Sequence, residues 1–313
     1  MHRCAIIGCG NVGATTAYAL LHAHLFSEIL LLDIDRARAT GESEDLGHAM
    51  PFLSPATVRA ADYPELAGCE LIIITAGAAQ RPEETRMDLL RKNATVFRDI
   101  VKNICRYNRD AILLVVTNPV DILTELTRRF SGFPPHRVLG SGTVLDTARL
   151  KYLIGGQLGI DPRQVHAFII GEHGDMELPV FSSANVSGID LSHFCAHGCR
   201  NCTPSDLDAL FVEARDAAYR IIRAKGATYY AVAEAVCRIA TAILRDEQTI
   251  LPVSVAGGGA YGITDICMSL PAVIGKNGVT RVLEMPLAEG EQEALLRCAA
   301  HMQRALGEVL ACK

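Results

Sequence analysis

No stretch of 18 residues in this chain is apolar without a charge or a turn residue interrupting it, which excludes a membrane-spanning helix. There is no basic excess either. Thirty Lys and Arg stand against 35 Asp and Glu, a formal net charge of -5 with a pI near 6.1. The electrostatic ground for nucleic-acid binding is therefore missing, and neither a DNA-reading element nor a basic stripe is found along the sequence. Internal repeats and low-complexity linkers are absent, so a repeat architecture is excluded. The eleven cysteines do not form a disulfide framework. Cys4, Cys69, Cys105, Cys237 and Cys267 are scattered through apolar segments and read as reduced, buried small hydrophobes. One cluster departs from this: Cys195, Cys199 and Cys202, with His193 and His197 nearby. It lacks a second Cys pair at zinc-finger spacing. It reads as a variable surface loop before a long helix, with no metal bound. A signal peptide is not expected at the N-terminus. His2 and Arg3 precede an apolar stretch, but that stretch carries glycines at regular spacing and no small-residue cleavage site. A cytoplasmic location is expected.

What is present is a large apolar fraction, half of 313 residues, enough for a sizeable core. Apolar runs at Arg3–Ile7, Ile29–Asp33, Leu71–Thr75 and Ala111–Thr117 suit parallel strands buried on both faces. Helix-length segments at Val12–His24, Ala37–Gly47 and Glu84–Arg106 lie between them. This alternation predicts a doubly wound parallel α/β sheet of the Rossmann kind. The second half predicts an α+β domain. Its helices fall at Asp146–Leu158, Ser205–Arg223, Ala227–Arg245 and Ala288–Leu310, its strands at Val165–Ile170, Thr249–Val255 and Ile263–Pro271. The expected division is residues 1–143, binding a dinucleotide, and 144–313, binding substrate.

Gly8, Gly10 and Gly13 follow the first strand and open the first helix. In that setting the first glycine permits a tight turn and the second lets a pyrophosphate approach the backbone. The third lets helix and strand pack closely. Asp33 ends the second strand, where its carboxylate can accept hydrogen bonds from a ribose hydroxyl and would repel the extra phosphate of NADP. NAD is the expected cofactor. Thr75-Ala76-Gly77-Ala78 ends a further strand with small residues, and Asn118 offers a donor and an acceptor at the next strand end. In the second half His173 lies between glycines, as Gly171-Glu172-His173-Gly174-Asp175. A histidine there can give a proton to a developing alkoxide and take it back. Asp146 can fix its tautomer, and Arg149, three residues on, offers a planar fork to a carboxylate.

These motifs occur in one order: Gly8–Gly13, Thr75-Ala76-Gly77, Gln80–Arg86, Thr117-Asn118-Pro119-Val120-Asp121, Asp146–Arg149 and Gly171–Asp175. The chain resembles the lactate/malate dehydrogenase family over nearly its whole length, and within it the lactate-type bacterial members. The resemblance implies His173 as general acid/base with Asp146 as its partner, and Arg149 on the substrate carboxylate. It implies Arg86 on a loop, roughly 79–88, that closes over substrate and polarises its carbonyl, and Asn118 hydrogen-bonded to the substrate oxygen. Asp33 would hold the adenosine ribose, while Val12, Arg38, Tyr63, Gly77, Ala78 and Ser141 line the cofactor. Malate-type members carry an arginine at the position of Gln80. A neutral Gln leaves the second carboxylate of oxaloacetate unpaired in a closed pocket, which is costly. With Thr228 trimming the pocket, the implied reaction is reversible hydride transfer between NADH and pyruvate, giving L-lactate.

Bacterial relatives of this shape are often fermentative, glycolytic homotetramers activated by fructose 1,6-bisphosphate. His166 matches their phosphate-binding histidine. Lys151 stands where an arginine is usual and keeps the charge without the bidentate fork. The first strand starts by residue 3, leaving no room for the long N-terminal arm of vertebrate members. Ala260 replaces the acid usual before Tyr261, in a glycine-rich turn. Two other readings stand beside this one: a hydroxyacid dehydrogenase for bulkier, branched 2-keto acids, and a catalytically silent relative. Loss of His173, Asp146 or Arg149 would signal the second, and none is lost.

Overall fold

The computed structural model describes residues 2–78, 86–197 and 203–311. The chain begins with β1 (Arg3–Ile7), α1 (Asn11–His22), β2 (Glu28–Leu32), α2 (Arg36–His48), β3 (Thr57–Ala60) and β4 (Leu71–Ile74). It continues through α3 (Arg86–Tyr107), β5 (Ile112–Val115), α4 (Val120–Ser131) and β6 (Val138–Gly140). These six strands are parallel, in the order β3-β2-β1-β4-β5-β6. All residues of β4 and β5 are buried, as expected for strands covered on both faces by helices. The strand order reverses direction between β1 and β4. Their carboxyl ends meet there, which is where open α/β sheets bind ligands.

The second half comprises α5 (Val144–Leu158), β7 (Val165–Gly171), β8 (Glu177–Val186), β9 (Ile189–Asp190) and α6 (Leu191–His197). Then come α7 (Pro204–Lys225), α8 (Tyr230–Leu244), β10 (Thr249–Ala256), β11 (Cys267–Gly275), β12 (Gly278–Val282) and α9 (Glu289–Ala311). Its strands extend the same sheet as β6-β10-β11-β7-β8-β9, now antiparallel, with β12 on β11. The result is a doubly wound parallel sheet followed by an α+β unit, as the sequence implies. One apolar core runs through both parts. A smaller one, around Leu150, Ile154, Val165, Ile169 and Cys195, fills the space between α5, β7, α6 and α7. Among the described residues no helix is long and apolar enough to cross a membrane.

Three expectations need correction. The strand predicted at Ile263–Pro271 begins only at Cys267, because Gly258, Gly259, Tyr261, Gly262 and Asp265 all hold positive φ and keep the chain turning. The helix predicted from Ala227 begins at Tyr230, since Gly226 with φ +86° ends α7 first. Cys195, predicted on a surface loop, is buried on α6 within the smaller core. An apolar environment suits a neutral thiol. Cys199 and Cys202 lie outside the described residues.

Candidate active site

The glycine-rich turn follows from steric limits. Gly8 holds φ +107°, and a Cβ there would press on the backbone of Ala76. A Cβ on Gly13 would collide with the Gly8 carbonyl oxygen, so α1 can lie this close to the β1 turn only without a side chain. At Gly10 a Cβ would meet nothing within 4 Å. Gly10 is also the N-cap of α1, with no side chain capping it and no acid in the first turn. Free amides and the positive end of a helix thus face open space, which fits a pyrophosphate. Asp33, just beyond β2, accepts from the Cys9 N–H at 2.6 Å and from the Asp35 N–H at 2.9 Å. Its carboxylate is thereby fixed beside the turn with lone pairs left for a ribose hydroxyl. The residues present fit a dinucleotide without a 2′-phosphate.

The other predicted cofactor-side residues sit as follows. Gly77 and Ala78 leave β4, and the Ala78 N–H donates to Asn93 Oδ1 at 2.8 Å. Asn93 Nδ2 donates to the Asn118 carbonyl at 3.1 Å. Buried Asn93 on α3 therefore ties together two strand ends that the sequence reading kept separate. Ser141 follows β6, and its N–H bonds to the Val115 carbonyl at 2.8 Å. Val12 is on the first turn of α1, half-buried. Arg38 is exposed on α2, its N–H accepted by Asp35. Tyr63 is half-buried after β3.

The acid/base end is assembled from three elements. His173 lies on the turn between β7 and β8, and its Nδ1 is 2.6 Å from Asp146 Oδ2. Asp146 is on the first turn of α5, where the helix dipole favours a negative charge. Its other oxygen accepts from Arg149 at 2.9 Å, one helical turn along. Asp121, on the first turn of α4, accepts the His173 backbone N–H at 2.7 Å and the Ser269 hydroxyl at 3.1 Å. It holds the turn itself. Two threonines fix α5 against β7. Thr143 Oγ1 donates to the Ile169 carbonyl at 2.5 Å, and Thr147 Oγ1 accepts the Ile169 N–H at 2.9 Å. The Asp146–His173 contact is thus set by paired elements rather than by the side chains alone. Arg149 and Thr228 line one cavity of about 430 Å³ with Leu145, Tyr152 and Tyr229.

Burial disfavours charge on His173, but the Asp146 carboxylate, with Asp121 and Glu177, outweighs it and raises the pKa to about 9. Burial alone would raise Asp146. The imidazolium and Arg149 reverse that and hold it below the usual carboxylate range. Burial pushes Asp121 up, against its hydrogen bonds. Sequence reasoning found His173, Asp146 and Arg149. It missed the anchoring by Asp121, although the residue was in view in the Thr117–Asp121 motif, and it missed Asn93 and Glu177. Asn93 lies with Leu90, Ala94 and Phe97 on the buried side of α3, and a polar residue at an apolar position was the available signal. Gln80, and the side chain of Arg86 at the start of α3, fall outside the described residues. Lys151 is half-buried on α5, its pKa lowered by burial, and His166 is exposed on β7.

A glycine turn built for a dinucleotide, and a histidine–aspartate pair with an arginine beside it, define an oxidoreductase of the nicotinamide class. Residues 2–140 match the NAD-binding domain of lactate/malate dehydrogenase, and residues 143–312 match that family's α/β C-terminal domain. The chain belongs to the lactate/malate dehydrogenase family and is an NAD-dependent oxidoreductase. It is 48% identical over 309 residues to the L-lactate dehydrogenase of Thermoanaerobacter sp. (strain X514), covering 99% of each chain. It is 49% identical over 294 residues to that of Acetivibrio thermocellus, covering 94% of this chain and 92% of the other. Among solved structures it resembles a lactate dehydrogenase from a Medee basin deep-sea metagenome library, with TM-score 0.96, 40% identity and 98% of each chain covered. The minor L-lactate dehydrogenase of Enterococcus mundtii gives 0.95 at 37% identity, again over 98% of each chain.

Proposed function

We propose that this chain is an L-lactate dehydrogenase, interconverting pyruvate and L-lactate with His173 as general acid/base. The observation that carries the reading is the 2.6 Å contact between His173 Nδ1 and Asp146. It ties one ring nitrogen and leaves Nε2 to meet a substrate oxygen. Asp146 keeps the imidazolium charged, so His173 enters the reduction with a proton to give. Arg149 holds the substrate carboxylate in a bidentate fork, fixing which face of the carbonyl is presented. Arg86, at the start of α3, and Asn118 hydrogen-bond the carbonyl oxygen as charge develops on it. When bound, NADH would supply the hydride. As negative charge grows on the oxygen, His173 delivers its proton, and lactate oxidation reverses each step. Gln80 and Thr228 select pyruvate over oxaloacetate by offering no cation for a second carboxylate. Gly8, Gly10, Gly13 and Asp33 hold the cofactor, within a division at 1–143 and 144–313. His173→Gln should lower kcat for pyruvate reduction by about 10²–10⁴-fold while NADH still binds. An unchanged rate would sink the acid/base role.

The same reading extends to a cytoplasmic, fermentative homotetramer with a sugar-bisphosphate site at Lys151 and His166. His166 is solvent-exposed on a strand packed against the helix that carries Lys151, which favours a shared anion site. Titrating fructose 1,6-bisphosphate into the pyruvate assay should lower the KM. A flat response removes this site.

A further inference from the structure

Glu177 has no role in the scheme above, yet its place is closely defined. It opens β8 opposite Gly171 of β7, and its N–H bonds to the Gly174 carbonyl at 3.2 Å. Both ties belong to the turn that carries His173. The side chain is only 7% exposed, and Oε1 has no hydrogen-bond partner among the described residues. Its carboxyl, the Asp146 carboxyl and the His173 ring each bring an atom within 4.8 Å of the others.

Two buried carboxyls this close cannot both ionise cheaply. Each loses hydration, and the two charges repel. Asp146 has the imidazole on one oxygen and Arg149 on the other, whereas Glu177 has neither. The shared negative charge therefore settles on Asp146, and the proton stays on Glu177. We propose that Glu177 is a positioning residue of the Asp146–His173 pair: it carries the proton that the two buried carboxyls share, and giving that proton up tightens the hold of His173 on its own. This rests on the acid/base reading of His173.

The surrounding charges are Asp146 and Arg149 from α5, Asp121 from α4, Arg215 from α7 and His173 itself. Burial, then the Asp146 charge, push Glu177 up to about 8, against the pull of His173, Arg149 and Arg215. His173 is raised too, to about 9. The two groups therefore titrate in the same alkaline range. Ionisation of Glu177 there puts a new negative charge beside the imidazolium, and the ring keeps its proton to higher pH than Asp146 alone would allow. Reduction, which consumes that proton, stays active further into alkali.

Glu177→Gln and Glu177→Met both remove the ionisable group, one keeping polarity and the other not. The pH dependence of kcat/KM for pyruvate reduction at saturating NADH is the first readout. Both variants should move the alkaline midpoint down by about one unit. A role in packing alone would lower the rate at every pH and leave the midpoint in place. An unmoved midpoint, or a shift in only one variant, overturns the proposal. The second readout is the infrared carbonyl band of a protonated carboxyl, which should be present in the parent near neutral pH, fade as pH rises through about 8, and be missing from the variants. Absence of any such band in the parent overturns the proposal even if neither variant folds. Should the parent fail to reduce pyruvate while the band persists, it is the catalytic assignment that fails and not the protonation of Glu177.

Discussion

At the scale of single residues, the site is a balance between burial and charge. His173 is held as an imidazolium by Asp146, up to about 9. On the proposed acid/base role reduction draws on that proton, so kcat/KM for pyruvate should fall as pH rises through about 9. Oxidation needs the free base, and kcat/KM for lactate should rise over the same window. Asp146→Asn removes the charge that opposes burial. The His173 pKa then drops, the alkaline limb of reduction moves to lower pH, and kcat falls by about 10²–10⁴-fold. Paired pH–rate profiles of parent and variant check both the direction and the loss. An alkaline limb that stays in place would show that Asp146 does not set the proton affinity. That His173, Asp146 and Arg149 come together was legible, because a glycine-flanked histidine and an Asp–Arg pair three residues apart are distinctive in the sequence. Glu177 was not, although a lone acid in the apolar run Met176–Phe181 was its trace in the sequence. No motif rule says whether such an acid meets solvent or a buried pair.

At the scale of elements, the site depends on α5 lying in register with β7. Thr147→Val keeps the shape of the side chain but removes the acceptor of the Ile169 N–H. That buried amide would then be unpaired, at a cost of about 1–3 kcal/mol. Urea unfolding should show the loss. A smaller drop in kcat should accompany it, as Asp146 moves relative to His173. Full stability in the variant would mean that β7 finds another partner. The helices and buried strands that flank the glycine turn were readable because their apolar runs are strong local signals. Others were not. β6 has only three residues, β9 two, and β8 mixes half-buried polar and apolar positions with Pro179 in its course. β6 takes one partner, β10, from far along the chain, while β8 and β9 pair with sequence neighbours but are too mixed in pattern or too short for local periodicity to record. The β10–β11 connection failed for a different reason. Residues with positive φ, Tyr261 and Asp265 among them, keep turning where apolar residues suggest a strand.

At the scale of the molecule, a single sheet carries both parts of the candidate site. Its parallel part ends in the dinucleotide turn, and its antiparallel extension carries the histidine turn. β6 and β10 join the two, and Asp121 on α4 reaches from the first half to grip the turn of the second. The proposed hydride transfer to a 2-keto acid suits this architecture, which does not choose the acid. That choice rests on Gln80, whose neutral side chain the resemblance places where malate-type relatives have a cation. Gln80→Arg should therefore move preference towards oxaloacetate, read as the ratio of the two kcat/KM values. The most direct measurement is that same ratio for the unaltered protein, pyruvate against oxaloacetate with NADH. The account predicts that pyruvate is favoured by at least tenfold, about 1.4 kcal/mol in the transition state. Equal rates, or a preference for oxaloacetate, would contradict it.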